Sequence, residues 1–178
     1  MAFDTFMVIG DGTVVTGEAS ATGLAAIAGP SPTTGWIEIF SFSWGASNPT
    51  TVGAGSSGLS AGKVSVSSFN IMKKTEKSSN PLMTACCTGQ HFATASVVMR
   101  KATGTAGKQQ TFLEYDFKDV MVESIQWSGS SGGDDTPTES VSFAFATFTI
   151  TYWYQDEATG TLTKGPVSSW DLTKVAAS

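Results

Sequence analysis

Apolar and polar residues alternate along much of the chain, which is the pattern of half-buried β-strands. The clearest segment runs from Val141 to Tyr154, where the apolar phase changes near Ala146–Thr147 and so predicts a bulge. Its fourteen residues exceed the usual strand of about 5–6 residues, which favours the long bent strands of a barrel. The other predicted strands are Phe3–Ile9, Trp36–Trp44, Lys63–Met72 with a bend near Ser67–Ser68, Phe92–Lys101, Thr111–Phe117, Val120–Trp127 and a short one in the tail Gly165–Ser178.

A single segment carries the signals of a helix. Asn80 is a suitable cap, Pro81 suits the first helical position, and Gly89 suits a left-handed exit. These residues predict a helix over 80–88. One short helix among many strands predicts an all-β fold, either a barrel or a sandwich.

Three segments rich in glycine, serine and proline separate the predicted strands. The stretch Gly10–Gly35 has prolines near its end, which exclude a central strand there and predict a loop. The stretch Gly45–Gly62 holds five glycines and few large apolar residues, so we expect a long, exposed and mobile loop. The third, Ser128–Pro137, reads as a polar loop.

Length and charge exclude several classes of protein. A chain of 178 residues with 40% hydrophobic residues is enough for one domain with a real core. The net charge of −5 and the thinly spread basic residues argue against binding to nucleic acid or to an anionic membrane surface. We also expect no membrane insertion, because no apolar run reaches about 18–20 residues. The start of the chain lacks the features of a Sec signal, so we expect folding in the cytoplasm.

The residues offer little for catalysis. His91 is the only histidine, and a Ser-His-Asp triad would need it as the base. The segment Gly129–Gly133 matches the bare Gly-x-Ser-x-Gly pattern, but no helix signal follows it, as a nucleophile elbow requires. The adjacent Cys86 and Cys87 are expected to be reduced thiols that pack against the core rather than zinc ligands. We therefore expect no catalytic residue, no metal site and no cofactor.

Two groups of carboxylates are interpreted as ordinary surface features. Glu114 and Asp116 share one face of a predicted strand, and such a pair on a solvated face is more common than a glycosidase pair. Asp134, Asp135 and Glu139 surround a glycine loop without EF-hand spacing. This second group fits a solvated loop or one that contacts a neighbouring subunit.

Large aromatic residues occupy one phase of the segment Trp36–Trp44. Trp36, Phe40, Phe42 and Trp44 either face the core or form an exposed platform for sugars. The second interpretation would make the protein a monomeric carbohydrate-binding β-sandwich. The alternation does not decide between them.

Read in order, several blocks of the sequence resemble the Hcp family, the haemolysin-coregulated tube proteins of type VI secretion. The resemblance spans nearly the whole chain and departs from the family pattern in the stretch Ala21–Gly35 and in the weakly charged surface. The matching blocks are Met1–Asp11, Gly17-Glu18, Ile37–Gly45, Ala61–Val64, Phe69, Lys73–Lys77, Ser79–Leu82, Ala85-Cys86, Gly89–His91, Arg100–Ala102, Ser131–Asp135, Pro137–Glu139, Val141, Gly165–Val167 and Trp170-Asp171.

The resemblance implies a β-barrel of two sheets with a flanking helix, similar to the tail-tube proteins of phages. It implies six copies in a ring, rings stacked into a tube, and small effector proteins carried in the lumen. Its partners would be itself and the sheath, spike and baseplate proteins of the secretion apparatus. The tube would assemble in the cytoplasm and then leave the cell through the apparatus, with no enzymatic activity.

Three sets of residues are candidates for these roles. Ser41 and Ser43 alternate with the aromatic residues and are expected to face the lumen, because a lumen surface should be small and polar. The loop at 45–62 is long enough to reach the next ring, with Asn48, Thr50, Val52, Ser56 and Leu59 as candidate contacts. The acidic loop is the candidate interface between subunits, through Asp134, Asp135 and Glu139.

Overall fold

The computed structural model describes residues 3–29, 32–52, 58–102, 109–132, 136–156 and 159–177. These residues form thirteen strands and one helix, so the fold is mainly β as the sequence predicts. In chain order the elements are β1 Asp4–Ile9, β2 Ile37–Ile39, β3 Ser41–Ser43, β4 Ala46–Ser47, β5 Thr50–Val52, β6 Leu59–Ala61, β7 Ser65–Val66, β8 Phe69–Lys74, α1 Ser79–Thr88, β9 His91–Ala102, β10 Gln109–Ser128, β11 Thr138–Ala144, β12 Thr147–Gln155 and β13 Leu162–Asp171.

Strand β10 organises a nine-stranded sheet in the order β2-β1-β9-β10-β11-β8-β3, to which β12 and then β13 are added. Along one edge β10 pairs with β9 from Gln109 to Met121. Along the other edge β12 and β11 follow one another, with Lys118 opposite Thr147 and Met121 opposite Ala144. The predicted strand 141–154 is therefore two strands, broken where its apolar phase changes.

The two ends of this strand order are joined by one residue, Phe40. Strand β2 pairs with β1 and β3 pairs with β8, although β2 and β3 are neighbours in the chain. The Phe40 N–H also donates to the Met72 carbonyl at 2.8 Å. The chain thus brings the two ends of one nine-stranded sheet close together, in agreement with the predicted mainly β, barrel-like fold.

Aliphatic side chains and an aromatic cluster fill the main core. Trp44 lies edge-on to Phe117 and Phe148, with ring centroids 5.5 and 5.0 Å apart. Edge-to-face pairs of this kind add to the stability from burial alone. Fully or nearly fully buried members include Met7, Ile9, Ile37, Ile71, Leu82, Val97, Met99, Phe117, Val141 and Phe143.

A second, smaller core lies on the outer face of β1 and β9. Phe6, Val8 and Val98 are buried there because the predicted loop between β1 and β2 crosses the sheet. Leu24 and Ala26 of that segment pack against them. The segment is irregular, as its prolines and glycines predict, but it covers the sheet rather than extending into solvent.

Helix α1 begins earlier than its sequence signals suggest. Its cap is Ser78, which makes no side-chain capping bond, so the prediction of Asn80 as the cap is wrong by two residues. The exit is confirmed: Gly89 has φ 64°, and its N–H donates to the Ala85 carbonyl. A left-handed residue at this position costs a glycine little.

Candidate binding face and contact surfaces

The outer face of four neighbouring strands, β3, β8, β11 and β10, is built from small neutral side chains. Side chains at paired positions share one face of an antiparallel sheet. The registers place two rows of four side by side. One row is Ser41, Met72, Ser140 and Gln126, and the next is Ser43, Asn70, Ser142 and Ser124.

This neutral face is equipped for hydrogen bonding without net charge. Ser41 and Ser43 are exposed, and the Ser142 hydroxyl donates to the Asn70 side-chain oxygen across the strands. Met72 is 47% exposed and supplies an apolar, adaptable contact in the middle of the face. At one end the Lys74 ammonium lies 5.8 Å from the centre of the Phe40 ring. Such a face suits contacts with neutral or apolar groups.

The aromatic residues opposite these serines belong mostly to the core. Phe42 and Trp44 are half-buried, and Phe42 stacks on Phe69 with centroids 5.8 Å apart. Trp36 is buried in the outer core, and Phe40 is 55% exposed at the turn between β2 and β3. The four side chains therefore do not share one face, because the strand changes phase at Phe40. These four residues therefore do not form the aromatic platform that a sugar-binding protein would need.

The predicted loop at 45–62 is an extended hairpin over its described residues. Strand β4 pairs with β7, and β5 pairs with β6 so that Val52 lies opposite Leu59. Val52 is 79% exposed and Leu59 is 72% exposed. Asn48 and Thr50 are exposed as well, whereas Ser56 lies outside the described residues. Backbone pairing between these strands makes the described part of the segment a hairpin rather than an open loop.

Glu139, one of the three residues assigned to the candidate acidic loop, is a buried strand residue. Asp134 and Asp135 lie outside the described residues. Glu139 belongs to β11 and is 1% exposed, so its assignment to an interface loop is wrong. Its carboxylate pairs with the Lys73 ammonium and accepts from the Ser79 hydroxyl at 3.0 Å. The sequence holds a signal for this pair: Glu139 is in phase with buried Val141 and Phe143.

The second carboxylate pair is not on a solvated face, contrary to expectation. Glu114 is completely buried, and its two oxygens accept from the backbone N–H groups of Ile27, Ala28 and Gly29 at 2.8 to 3.1 Å. Asp116 accepts from the Ser96 hydroxyl at 2.6 Å. Burial, and then the charge of Glu114, raise the pKa of Asp116 to about 7, although its bond to Ser96 acts in the opposite direction.

The residues considered for catalysis or metal binding do not come together in the described part of the chain. His91 is exposed at the start of β9, and Cys87 is exposed on α1. The Cys86 thiol lies 3.8 Å from the Glu123 carbonyl. The described residues contain no group of three or more histidine, cysteine, aspartate or glutamate side chains placed to hold a metal ion. Nor do they include a helix long and apolar enough to cross a membrane.

Comparison with known proteins assigns the chain to a family. Residues 6–152 match the model of a family described as "Type VI secretion system effector, Hcp". Protein hcp1 of Pseudomonas aeruginosa is 37% identical over 111 residues, which cover 62% of this chain and 66% of that relative. The chain thus spans just under two thirds of the length of this curated relative.

Solved structures agree with this assignment over the full length. A protein described as a type six secretion system protein superimposes with a TM-score of 0.84 at 31% identity, covering 99% of this chain and 100% of that one. Hcp1 from Salmonella typhimurium superimposes with a TM-score of 0.72 at 27% identity, covering 99% of each chain. The match over residues 6–152 and these superpositions lead to one conclusion: the chain belongs to the Hcp family of type VI secretion system proteins.

Proposed function

We propose that this protein is the tube subunit of a type VI secretion system. Six copies form a ring, rings stack into a tube, and the tube leaves the cell carrying small effector proteins in its lumen. Membership of the Hcp family supports this role. The observation that carries it is the neutral face of β3, β8, β11 and β10, because uncharged hydrogen-bonding groups bind a protein cargo weakly enough to release it.

In this proposal the neutral face lines the lumen. Ser41 and Ser43 supply hydroxyl groups there, and Met72 lies beside Ser41 across the strand pair. Neutral hydrogen-bonding groups hold a cargo weakly, since each bond replaces one that water would make. Weak contacts repeated around six subunits add up to retention without preventing release.

The hairpin at 45–62 forms the contact with the next ring. A two-stranded hairpin is marginally stable alone, and Val52 and Leu59 form an exposed apolar pair on it. Exposed apolar pairs of this kind gain stability when another surface covers them. Asn48, Thr50 and Ser56 belong to the same contact, while Asp134 and Asp135 contribute to the contact between subunits of one ring.

Head-to-tail contacts close such a ring. In the described residues β12 is the one strand paired with β13, and Asp171 at the end of β13 also forms a bridge with Ala176; the part of β13 before this bridge is the edge that meets a neighbouring subunit. The assembled tube works with sheath, spike and baseplate proteins of the apparatus. It assembles in the cytoplasm and is exported through the apparatus.

The mass in solution tests this proposal first. Light scattering on purified protein is expected to give about six times the chain mass of 18.5 kDa, and negative-stain images of the same peak are expected to contain rings with a central hole. A monomer at every concentration would contradict the proposal. Retention on immobilised glycans by that monomer would instead favour the carbohydrate-binding alternative.

A further inference from the structure

Residues 19–29, here called the strap, cross the outer face of β1, β9 and β10. Leu24 and Ala26 of the strap cover Phe6, Val8 and Val98, which would otherwise be exposed on the outer side of the sheet. The strap contains no charged residue. Apolar side chains therefore attach the strap near Leu24 and Ala26 to the sheet. Its remaining contacts with the sheet are hydrogen bonds to the strap backbone.

Two buried charged side chains of the sheet bind the strap through its backbone. The Arg100 guanidinium donates to the Thr22 carbonyl at 3.2 Å. Glu114 accepts from three successive N–H groups, those of Ile27, Ala28 and Gly29. A carboxylate that accepts several backbone N–H bonds stabilises the segment that donates them. The end of the strap thus depends on a buried negative charge.

Asp116 lies directly beneath the same end of the strap. A side chain on Gly29 would meet the Asp116 carboxylate oxygen at 2.2 Å and the Ser96 hydroxyl at 2.8 Å. Only a glycine allows the backbone to approach this closely. The charge of Glu114 also raises the pKa of Asp116, so the two carboxyl groups act as one interacting pair.

Two cations of the sheet lie near this pair: Arg100 of β9, whose guanidinium donates to the Thr22 and Gln109 carbonyls, and Lys118 of β10, whose charge lowers the pKa of Asp116. On β10 the neighbours of Asp116 are Glu114 and Lys118, and Lys118 is exposed. Strand β9 places Ser96 opposite Asp116, and β12 places Thr149 there. The strap brings only its uncharged backbone. The pKa of Asp116 rises to about 7, because burial and the nearby Glu114 disfavour a second negative charge.

We propose that the strap is a proton-dependent cover, which stays closed while the Glu114–Asp116 pair keeps one proton and opens when that proton is lost. With the proton present, the Asp116 carboxyl donates to the Glu114 carboxylate, which keeps its bonds to the strap. Without it, two negative charges lie under an uncharged cover, and opening hydrates both. Opening also exposes the apolar patch formed by Phe6, Val8 and Val98.

The direction of the pH effect follows from the pKa. The pKa of Asp116 is raised in the closed state above its ordinary value of 3.8. Closure is therefore favoured fully below about pH 4, and this contribution is lost as the pH rises through about 7. The inference concerns a single subunit and does not rest on ring assembly, so its failure would leave the proposed function untouched.

Amide hydrogen exchange at Ile27, Ala28 and Gly29 tests the cover. After correction for intrinsic rates, we expect protection to fall about tenfold or more between about pH 5 and about pH 8.5, since each pKa unit of coupling is a factor of ten. The carboxyl carbon shift of Asp116 should titrate over the same range. Protection that does not change with pH would overturn the proposal.

Three variants assign the effect to this pair. Asp116→Asn should keep the strap protected and remove the pH dependence, because the amide stays neutral. Glu114→Gln should lower protection at every pH and lower the pKa of Asp116. Asp119→Asn, an exposed carboxylate on the same strand, is the matched control and should behave as the parent. An unchanged pH dependence in Asp116→Asn would also overturn the proposal, and the carbon titration of the unmodified protein decides the case if that variant does not fold.

Discussion

Lys73 and Glu139 form an ion pair that is completely buried between β8, β11 and the start of α1. Ser79, the first residue of α1, joins them through its hydroxyl, which lies 3.1 Å from the Lys73 ammonium. The pair therefore fixes the helix to the sheet through polar contacts rather than through packing alone. Glu76 lies 3.7 Å from the same ammonium and extends the contact to the preceding turn.

Breaking this pair should strongly destabilise the fold. We expect Lys73→Met to lower the free energy of unfolding by about 3–5 kcal/mol, because it leaves a buried charge without a partner. The double variant Lys73→Met/Glu139→Leu should recover much of that loss. Denaturant unfolding measures both. Lys174→Met is the control, since Lys174 is exposed and solvent screens its ion pair with Asp171.

Ser43→Tyr tests the lumen-facing role of the neutral face. The larger tyrosine side chain should leave folding and hexamer formation unchanged, because Ser43 is exposed on β3. It should reduce the retention and export of cargo, since it narrows the channel and replaces a small polar contact. Co-purification of effectors and their secreted amount measure the effect. Thr84→Tyr, at an exposed position on α1, is the control, and normal cargo export by Ser43→Tyr would remove Ser43 from the lumen.

The exposed cross-strand pair Val52–Leu59 of the hairpin should matter for the stacking of rings and not for folding of the subunit. We expect Val52→Ser/Leu59→Ser to abolish ring stacking while the melting temperature of the subunit changes little. Negative-stain images of concentrated protein measure tube length. The adjacent cross-strand pair offers a matched control, Thr51→Ala/Ser60→Ala, whose rings should stack normally. Equal stacking by both double variants would show that Val52 and Leu59 do not contribute to the contact between rings.

The close approach of Gly29 to the sheet predicts a sensitive position. Gly29→Ala should lower the free energy of unfolding by about 1–3 kcal/mol, because the added carbon collides with Asp116 and Ser96. Gly45→Ala is the control: nothing lies within 4 Å of the carbon it would add, so it should be neutral or slightly stabilising. Thermal unfolding compares the two. A neutral Gly29→Ala would mean that the strap moves away without cost.

The turn after β13 should loosen in acid. The Thr173 hydroxyl and then the backbone N–H groups of Thr173 and Lys174 hold the pKa of Asp171 near 2, below its ordinary 3.8. The stabilisation is present above about pH 4 and is lost as the pH falls toward 2. Amide exchange at Thr173 and Lys174 measures this. Asp171→Asn should remove the acid transition, whereas Asp11→Asn should leave it in place.

The sequence predicts where most strands lie but not where one strand ends and the next begins. The predicted segments Thr111–Phe117 and Val120–Trp127 are one continuous strand, β10, because a bend at Asp119 with φ 52° does not end its pairing. Conversely, Trp36–Trp44 divides at Phe40, since its two halves pair with different strands. Hydrophobic alternation reports which face is buried, and pairing partners far along the chain decide where a strand ends.

The sequence was less informative about the charged residues. The sequence predicts surface positions for both Glu139 and Glu114, yet both are buried. Glu114 lies on the strand face opposite Phe117, as the alternation indicates, whereas Glu139 is in phase with buried Val141 and Phe143. Burial then depended on Lys73 and Ser79 in one case and on the strap backbone in the other, and neither partner is close in the chain.

By itself the sequence determined the β-rich fold, the glycine exit of the helix and the neutral composition of the segments around Ser43 and Val52. These properties follow from local alternation, from the freedom of glycine at positive φ, and from side-chain chemistry, so no distant contact is needed to set them. The tertiary structure alone decided that Ser41 and Ser43 join Asn70, Ser142 and Ser124 in one face, and that the strap covers the outer core. Those arrangements depend on strand register and on buried charges finding partners about 60 to 90 residues away, which the local pattern does not encode.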